Sequence, residues 1–240
     1  MKLPTKKIKV SLAILAMNER KASEILFPKI PLKSVDEVYV IDGNSTDGTI
    51  EFYKKKGIKV FTQKKRGLGA AVFEARSHCS TNAMILYHPD GNENPEDIGK
   101  IADALRLGYE FVIPSRMIKG GQNEEDDTFL KPRKWFNICF AIIINALWNK
   151  NGYVSEIVQG FRGINILAYD KLHLDTEDRT IDCQMVIRGL KYKLKFYEFP
   201  SIEGKRLFGD TNFKSIPTGY LNLKTFVREI LDKSTYPVKA

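Results

Sequence analysis

A carboxylate followed by small and polar residues stands at positions 42–49, where the chain reads Asp-Gly-Asn-Ser-Thr-Asp-Gly-Thr. Asp42 follows a β-branched, apolar run, so its carboxylate is expected at a strand end, where it can accept hydrogen bonds from a nucleobase or ribose. Gly43 permits a tight turn or the close approach of a ligand. A strand-to-helix turn with a good helix cap is the alternative, and it accounts for Ser45 to Gly48 but not for Asp42.

A second candidate group follows the apolar run that ends at Tyr87, where the chain reads His88-Pro-Asp90-Gly-Asn92. Oxygen ligands suit Mg²⁺ or Mn²⁺, and such an ion can bridge a diphosphate and neutralise charge on a leaving group. Asp90 is the best candidate ligand, with Asn92 and His88 as further ligands. A simple Asp-Gly turn is the alternative interpretation.

Several cations stand where they could hold phosphate. Arg66 and Gly67 lie at the predicted start of a helix, and backbone amides at such a position can clamp a phosphate or a base. Three further arginines could bind phosphates through two parallel hydrogen bonds, namely Arg116, Arg133 and Arg206. Ordinary solvent-exposed basic residues are the alternative for each of them.

The first half of the chain alternates between apolar runs and helical patterns. The predicted strands are 8–16, 35–41, 58–61, 83–87 and 111–114, and the predicted helices begin at Glu19 and cover 46–56, 67–78 and 95–107. This alternation predicts an α/β fold with a mainly parallel central sheet and helices on both faces. Ligands in such sheets bind beyond the carboxyl ends of the strands. The clusters at Asn18-Glu19, Asp42 and His88 to Asn92 each follow a strand, so we expect them to converge on one edge.

The second half has a different pattern. The sequence predicts an apolar helix over 136–148, a strand over 161–168, a helix over 181–190, a strand over 193–199 and an amphipathic helix over 221–231. Residues 201–218 show no clear period, and a mobile lid is one interpretation of so long a loop.

Composition narrows the class of protein. The chain has 240 residues and no run of about 20 apolar residues, so it can bury a full core but is not expected to span a membrane. Three widely spaced cysteines and a start without an apolar core predict reduced thiols in a cytoplasmic protein without a signal peptide.

A net charge of +9 favours a polyanionic partner such as nucleotide phosphates or anionic lipid. Nucleic acid is disfavoured because basic and aromatic residues do not interleave. The 136–148 helix is predicted to lie in the core or, alternatively, in a membrane interface.

Taken in order, these motifs resemble those of the family 2 inverting glycosyltransferases. Within that family they are most similar to the polyprenyl-phosphate glycosyltransferases, such as the dolichol-phosphate mannose synthases. The main motifs are Ala-Met-Asn-Glu at 16–19, Val-Ile-Asp-Gly-Asn-Ser-Thr-Asp-Gly-Thr at 40–49, Arg-Gly-Leu-Gly at 66–69 and Asp-Gly-Asn-Glu-Asn-Pro-Glu at 90–96. The resemblance continues at 115–116, 120–121, 133, 160–162, 198–200 and 206–209, and it covers about residues 8 to 214.

The resemblance implies a GT-A fold in a single domain over residues 1–240. Residues 1–115 would form a Rossmann-like half that binds the nucleotide sugar, and residues 116–240 would form the half that binds the acceptor. It further implies that a nucleoside contacts Asn18, Glu19 and Asp42, with Arg66 and Gly67 nearby. The donor would be a UDP- or GDP-sugar.

The resemblance also assigns a metal site and phosphate contacts. The implied ligands of Mg²⁺ or Mn²⁺ are His88, Asp90 and Asn92, and His88 stands where the family has the first acid of its metal motif. The residues that would act on the phosphates during catalysis are Asp90, Arg116, Arg133 and Arg206.

The resulting hypothesis is an inverting transfer of a sugar from a nucleotide-diphosphate donor to a polyprenyl or dolichyl phosphate. Positioning and charge stabilisation would supply the catalysis. The enzyme would be cytoplasmic and contact the inner face of an anionic membrane peripherally. One alternative is a glycan-extending transferase that acts on a sugar hydroxyl, with Glu156 or Asp182 as its base. The other is a relative that binds nucleotide sugar without turnover.

Overall fold

In the computed structural model, seven strands form one sheet, and the described residues are 8–126, 131–149, 152–209 and 215–232. The strands are β1 (Val10–Ala16), β2 (Glu37–Asp42), β3 (Lys59–Thr62), β4 (Ala83–Tyr87), β5 (Phe111–Ser115), β6 (Arg162–Asn165) and β7 (Phe196–Pro200). Their order is β3-β2-β1-β4-β6-β5-β7. The helices are α1 (Arg20–Leu26), α2 (Thr49–Lys55), α3 (Leu68–His78), α4 (Asp97–Arg106), α5 (Pro132–Trp148), α6 (Ile166–Lys171), α7 (Ile181–Lys191) and α8 (Ser215–Leu231).

The predicted α/β class with a mainly parallel sheet is confirmed. β1 pairs in parallel with β2 and β4, and β5 pairs in parallel with β7. β6 is the exception, because it runs antiparallel to both of its neighbours, β4 and β5. Every residue of β1 and β4 is buried, as expected for central strands whose two faces are both covered by helices.

Two hydrophobic clusters fill the faces of the sheet. On one face, Val72 of α3, Phe140 of α5, Val186 of α7 and Phe226 of α8 pack together. On the other face, the second cluster includes Tyr53 of α2 and Ile101 of α4, together with residues of β1 and β4. The two layers hold the sheet rigid, so the loops at its carboxyl edge start from fixed strand ends.

The predicted strand over 161–168 is wrong in its second half. β6 ends at Asn165, whose side-chain oxygen accepts hydrogen bonds from the backbone amides of Leu167 at 2.9 Å and Ala168 at 3.3 Å. This arrangement is an N-cap, and it begins helix α6 where the apolar pattern alone predicts more strand. The two long helices also begin earlier than predicted, α5 at Pro132 and α8 at Ser215.

The last two long helices present apolar side chains outward. Along α5, Trp135, Ile142 and Leu147 are between 48% and 63% exposed, although Phe140 and Ile144 are buried. Within the described part of the chain, no helix is long and apolar enough to cross a membrane.

Candidate active site

Two carboxylates from separate strand ends meet one arginine at the carboxyl edge of the sheet. Glu19 follows β1, Asp90 follows β4, and Arg206 reaches them from residues 201–209, a segment that we call the strap. Arg206 Nη1 donates to Asp90 Oδ2 at 3.0 Å, and Arg206 Nη2 donates to Glu19 Oε1. Of the clusters expected to converge on this edge, those of Glu19 and Asp90 therefore meet in the folded chain, and they do so through Arg206.

Glu19 is the more buried of the two carboxylates. Its side chain is 8% exposed, against 23% for that of Asp90. Burial raises the pKa of Glu19 to about 7, although Arg206 opposes that rise. The Glu19–Arg206 ion pair therefore changes its charge near neutral pH.

The Asp90 turn and the strap are in direct contact. The amide of Asn92 donates to Asp90 Oδ1 at 3.0 Å, and the amides of Gly204 and Leu207 on the strap donate to the carbonyls of Asn92 and Asp90 at 2.9 Å each. Gly91 has a φ of +106°, and a Cβ there would lie 2.7 Å from Leu207 Cγ. Glycine is required at this position both for its backbone angle and for the closeness of the strap.

The chemistry of Asp90 and Asn92 fits a divalent cation. Mg²⁺ is commonly held by one or two carboxylates together with substrate phosphates and water. Asp90 Oδ2 already accepts a hydrogen bond from a positive group, the Arg206 guanidinium. A metal ion could neutralise the Asp90 carboxylate in place of that group. Among the described residues no three His, Cys, Asp or Glu side chains form a metal-binding group. Phosphate oxygens of a substrate would have to complete the coordination.

His88 has a different partner from the one predicted. Its Nδ1 lies 2.7 Å from Glu93 Oε1, and its backbone amide donates to Glu93 Oε2 at 2.7 Å. Its Nε2 is buried and has no hydrogen-bond partner in the described part of the structure. Burial lowers the pKa of the imidazole, but the Glu93 carboxylate outweighs that effect and the pKa rises to about 9. In this geometry His88 is paired with Glu93, and its role as a metal ligand stays a prediction.

Asp42 and Asn18 hold two loops together. Asp42 is fully buried, and its two oxygens accept hydrogen bonds from the amide and the hydroxyl of Ser45 at 2.7 and 2.6 Å. Asn18 Oδ1 accepts a hydrogen bond from the backbone amide of Thr46 at 2.8 Å, and the backbone amide of Asn18 donates to Ser45 Oγ at 2.8 Å. The Asp42 carboxylate thus orders the loop after β2, and its predicted nucleoside contact stays a prediction.

Gly67 and Gly69 serve a packing contact. A Cβ at Gly67 would lie 2.2 Å from the Glu177 carbonyl oxygen, and one at Gly69 would lie 2.0 Å from that of Thr176. The amide of Gly69 donates to the Asp178 carbonyl at 3.1 Å, and that of the next residue donates to the Glu177 carbonyl at 3.1 Å. The amides of Gly69 and Ala70 are thus satisfied by backbone carbonyls, and the phosphate clamp at Arg66 and Gly67 stays a prediction.

Arg116 lies between two carboxylates. Its Nε and Nη2 donate to Glu156 at 2.9 and 2.8 Å, and its Nη1 donates to Glu203 on the strap at 2.5 Å. With a side chain only 12% exposed, Arg116 anchors the strap, and its contact with phosphate stays a prediction. The side chain of Arg133 lies outside the described residues, so its phosphate contact stays a prediction.

The two candidate bases are not equivalent. Glu156 is fully buried and bonded through both oxygens to Arg116. Asp182 lies in the first turn of α7, and its Oδ1 lies 3.4 Å from Arg162 Nη2. Burial raises the pKa of Asp182, with Arg162 and His88 acting in the opposite direction.

Sequence reasoning missed the partners of two site residues. Glu93 follows His88 by five positions inside a recognised motif, so it could have been found as a neighbouring acid. Glu203 is 87 positions from Arg116, in a segment without a clear period, and nothing in the sequence pairs them. Only the folded chain shows that both ions are neutralised by nearby carboxylates.

A mainly parallel sheet covered on both faces by helices, with Glu19, Asp90 and Arg206 at its carboxyl edge, agrees with the predicted GT-A fold. The chain belongs to glycosyl transferase family 2, because the model of that family matches residues 29–167. This match confirms the predicted family.

Two curated proteins illustrate the similarity. The chain is 28% identical over 215 residues to a dolichol-phosphate mannosyltransferase of Pyrococcus furiosus. The matched region covers 86% of this chain and 60% of that protein. It is 25% identical over 219 residues to an undecaprenyl-phosphate 4-deoxy-4-formamido-L-arabinose transferase of Salmonella choleraesuis, covering 85% of this chain and 62% of that protein. The chain thus spans about three fifths of the length of these relatives.

A solved structure with the same fold is glucosyl-3-phosphoglycerate synthase of Mycobacterium tuberculosis in complex with Mn²⁺, UDP-glucose and phosphoglyceric acid. The TM-score is 0.73 at 16% sequence identity, with coverage of 92% of this chain and 79% of that one.

Proposed function

We propose that this domain transfers a sugar, with inversion, from a nucleoside-diphosphate sugar to the phosphate of a polyprenyl lipid. The observation that carries the proposal is the meeting of Glu19, Asp90 and Arg206 at the carboxyl edge of a family 2 sheet. The polyprenyl-phosphate relatives support the choice of acceptor. UDP and GDP are both candidate carriers, and the synthase of similar fold holds UDP-glucose.

The residues divide the work by charge. Asp90 and Asn92 would hold Mg²⁺ or Mn²⁺, which when bound neutralises the diphosphate leaving group. Arg206 supplies a guanidinium within hydrogen-bond reach of Asp90, and it can pair with an acceptor phosphate in the same cleft. Bringing the two anionic substrates together is the main electrostatic task, and fixed cations lower its cost.

A phosphate acceptor also agrees with the state of the candidate bases. A lipid phosphate is already anionic near neutral pH and needs no strong base, whereas a sugar hydroxyl does. Of the two predicted bases, Glu156 is enclosed and committed to Arg116. Of these two residues, only Asp182 would then be left to act as the base for a hydroxyl acceptor.

Helices α5 and α8 offer a surface for the lipid carrier. The exposed side chains of α5 between residues 135 and 147 are all apolar or small, and on α8 the exposed apolar residues include Leu223 at 50% and Val227 at 44%. Lys224 lies exposed among them. Apolar residues with an interspersed cation are typical of a helix that rests in the interface of an anionic membrane. We place the protein at a membrane surface through this face, with the cytoplasmic side remaining a prediction.

Product analysis tests the proposed reaction. The protein is incubated with UDP- or GDP-sugars, Mn²⁺ and either a polyprenyl phosphate or a glycosylated lipid, and the products are identified by mass spectrometry. We expect sugar attached to the lipid phosphate and release of a nucleoside diphosphate, with both slowed about 10²–10³-fold in Asp90→Asn. Transfer only to the glycosylated lipid would support the glycan-extending alternative. Donor binding by calorimetry without any turnover would support a binding-only relative.

Vesicle sedimentation tests the membrane face. Leu223→Glu combined with Val227→Glu should reduce binding to vesicles of phosphatidylcholine and phosphatidylglycerol at least about tenfold, because two charges would enter the interface. Leu107→Glu is the matched control, since Leu107 is 76% exposed beyond the end of α4. Equal binding by both variants and the wild-type chain would contradict the assignment of this face.

A further inference from the structure

The strap is fastened to the body of the protein on both sides of Arg206. At its start, Ser201 Oγ donates to Asp97 Oδ2 at 2.6 Å, and Glu203 accepts hydrogen bonds from Arg116 and from Asn123 Nδ2 at 2.8 Å. Further along, the Leu207 amide donates to the Asp90 carbonyl at 2.9 Å. The strap therefore crosses the Asp90 turn in a defined path and is not a loose loop.

Contact between the strap and the Asp90 turn is as close as backbone allows. A Cβ at Gly204 would lie 2.3 Å from the Gly91 carbonyl oxygen. Because the strap and the Asp90 turn are so close, little space is left beside the Asp90 carboxylate while Arg206 is hydrogen-bonded to it. A diphosphate that approaches Asp90 has to displace the guanidinium, and the strap has to shift with it.

Arg206 and a divalent cation compete for the same oxygen atom. Arg206 occupies Asp90 Oδ2, and its other terminal nitrogen is bound by Glu19. A metal ion on Asp90 would bring two positive charges next to the guanidinium, and like charges at this distance repel each other strongly. Binding of the cation and the Arg206–Asp90 ion pair therefore oppose one another.

The outer side of the strap suits an amphiphilic phosphate. Ile202, Leu207 and Phe208 are 58%, 42% and 41% exposed, so apolar side chains flank the arginine. A guanidinium between exposed apolar residues matches a phosphate that carries a hydrocarbon chain, through ion pairing for the head and burial for the chain.

We propose that Arg206 is an exchangeable counter-ion that sets the order of binding, and this inference rests on the proposed function. In the empty site Arg206 neutralises Asp90 and Glu19. A divalent cation with the nucleoside diphosphate displaces it, and the released guanidinium then binds the lipid phosphate. The donor and metal consequently bind before the acceptor, because the acceptor's cation is occupied until they arrive.

The first test measures metal affinity without turnover. Free Mn²⁺ is followed by electron paramagnetic resonance in titrations, at one fixed concentration of UDP or GDP, of the wild-type chain, Arg206→Met and Lys205→Met, which removes the neighbouring exposed cation of the strap. Arg206→Met should bind Mn²⁺ roughly three- to tenfold more tightly, because its competitor is gone, whereas Lys205→Met should match the wild type. Equal affinity in all three proteins would overturn the inference.

The second test uses the wild-type chain and needs no substitution. Hydrogen exchange of the Leu207 amide should quicken when Mn²⁺ and UDP or GDP are added, since its bond to the Asp90 carbonyl is part of the closed strap. Farnesyl phosphate should bind measurably only in that loaded state. Binding of farnesyl phosphate to the empty protein with the same affinity would overturn the proposed order. If the wild-type chain bound neither nucleotide nor farnesyl phosphate, the proposed function itself would fail, which is a distinguishable result.

Discussion

Replacing Gly69 with alanine separates a packing role of the 66–69 motif from a role in phosphate binding. In an ordinary helix, alanine is more favourable than glycine by about 1 kcal/mol. In this protein the new Cβ would lie 2.0 Å from the Thr176 carbonyl oxygen, against at least 3.4 Å for ordinary contact. Either the 176–178 backbone moves by more than about 1 Å or the start of α3 does.

The size of the effect follows from what that movement breaks. Two backbone hydrogen bonds, from Gly69 to Asp178 and from Ala70 to Glu177, contribute roughly 0.5–1.5 kcal/mol each. Overpacking adds about 1–3 kcal/mol, and the helix preference for alanine offsets about 1 kcal/mol. We expect the free energy of unfolding to fall by about 3 kcal/mol, which lowers Tm by about 6–12 °C.

Thermal and urea unfolding measure this change, with Gly152→Ala as the matched control. The nearest atom to a Cβ at Gly152 is 3.5 Å away, in the Asn149 side chain, so the control should change stability by less than about 0.5 kcal/mol. A Gly69→Ala variant as stable as the wild type would refute the packing account. If that stable variant also lost affinity for UDP and GDP, the new Cβ would be obstructing the nucleotide, and the 66–69 motif would lie against the ligand.

Three further substitutions address the charged groups of the site. Asp90→Asn should lower kcat about 10²–10³-fold while Tm stays nearly unchanged, because its partly exposed ion pair contributes little to stability; a variant with normal turnover would remove Asp90 from the site. Glu19→Gln should flatten the pH dependence of stability, as followed by Tm between pH 4.5 and 8. With its pKa raised from 4.5 to about 7, Glu19 binds more protons in the native chain than in the unfolded chain within that window, so wild-type stability falls as the pH rises through it. An identical Tm profile for the two proteins would contradict the raised pKa. His88→Gln should leave the affinity for Mn²⁺ within about twofold of wild type but lower the free energy of unfolding by about 3 kcal/mol, since it breaks a buried ion pair with Glu93. Loss of Mn²⁺ binding in a stable His88→Gln protein would identify His88 as a ligand.

Much of the fold follows from local sequence pattern. Strands β1 to β5 lie within two residues of their predicted positions at nearly every end, because central parallel strands are continuous apolar runs bounded by polar residues. The boundary between β6 and α6 could not be read in the same way, since the apolar run continues through both. Asn165 was the available signal, as it is a preferred cap residue just before that run resumes as helix.

The candidate site was predictable in position but less so in role. Strand ends identified Glu19 and Asp90 because the edge of a parallel sheet gathers them. The roles of Asp42 and Arg116 depend on whether each side chain is solvent-exposed or enclosed by a partner. Asp42 is enclosed by Ser45, three positions away, and Arg116 by residues 40 and 87 positions away. The pairing of Arg116 with residues so far away in the chain is a property of the tertiary structure, and spacing in the sequence does not encode it.

The reversed strand β6 ties the two halves of the chain into one folding unit. Because residues 162–165 separate β4 from β5, a fragment that stops at residue 115 would lack the strand that joins those two, leaving both with an unpaired apolar edge. A nascent chain on the ribosome cannot complete its central sheet until β6 has emerged. The proposed binding of nucleotide and of acceptor should therefore not be separable by truncation, and a chain that stops at residue 115 should aggregate.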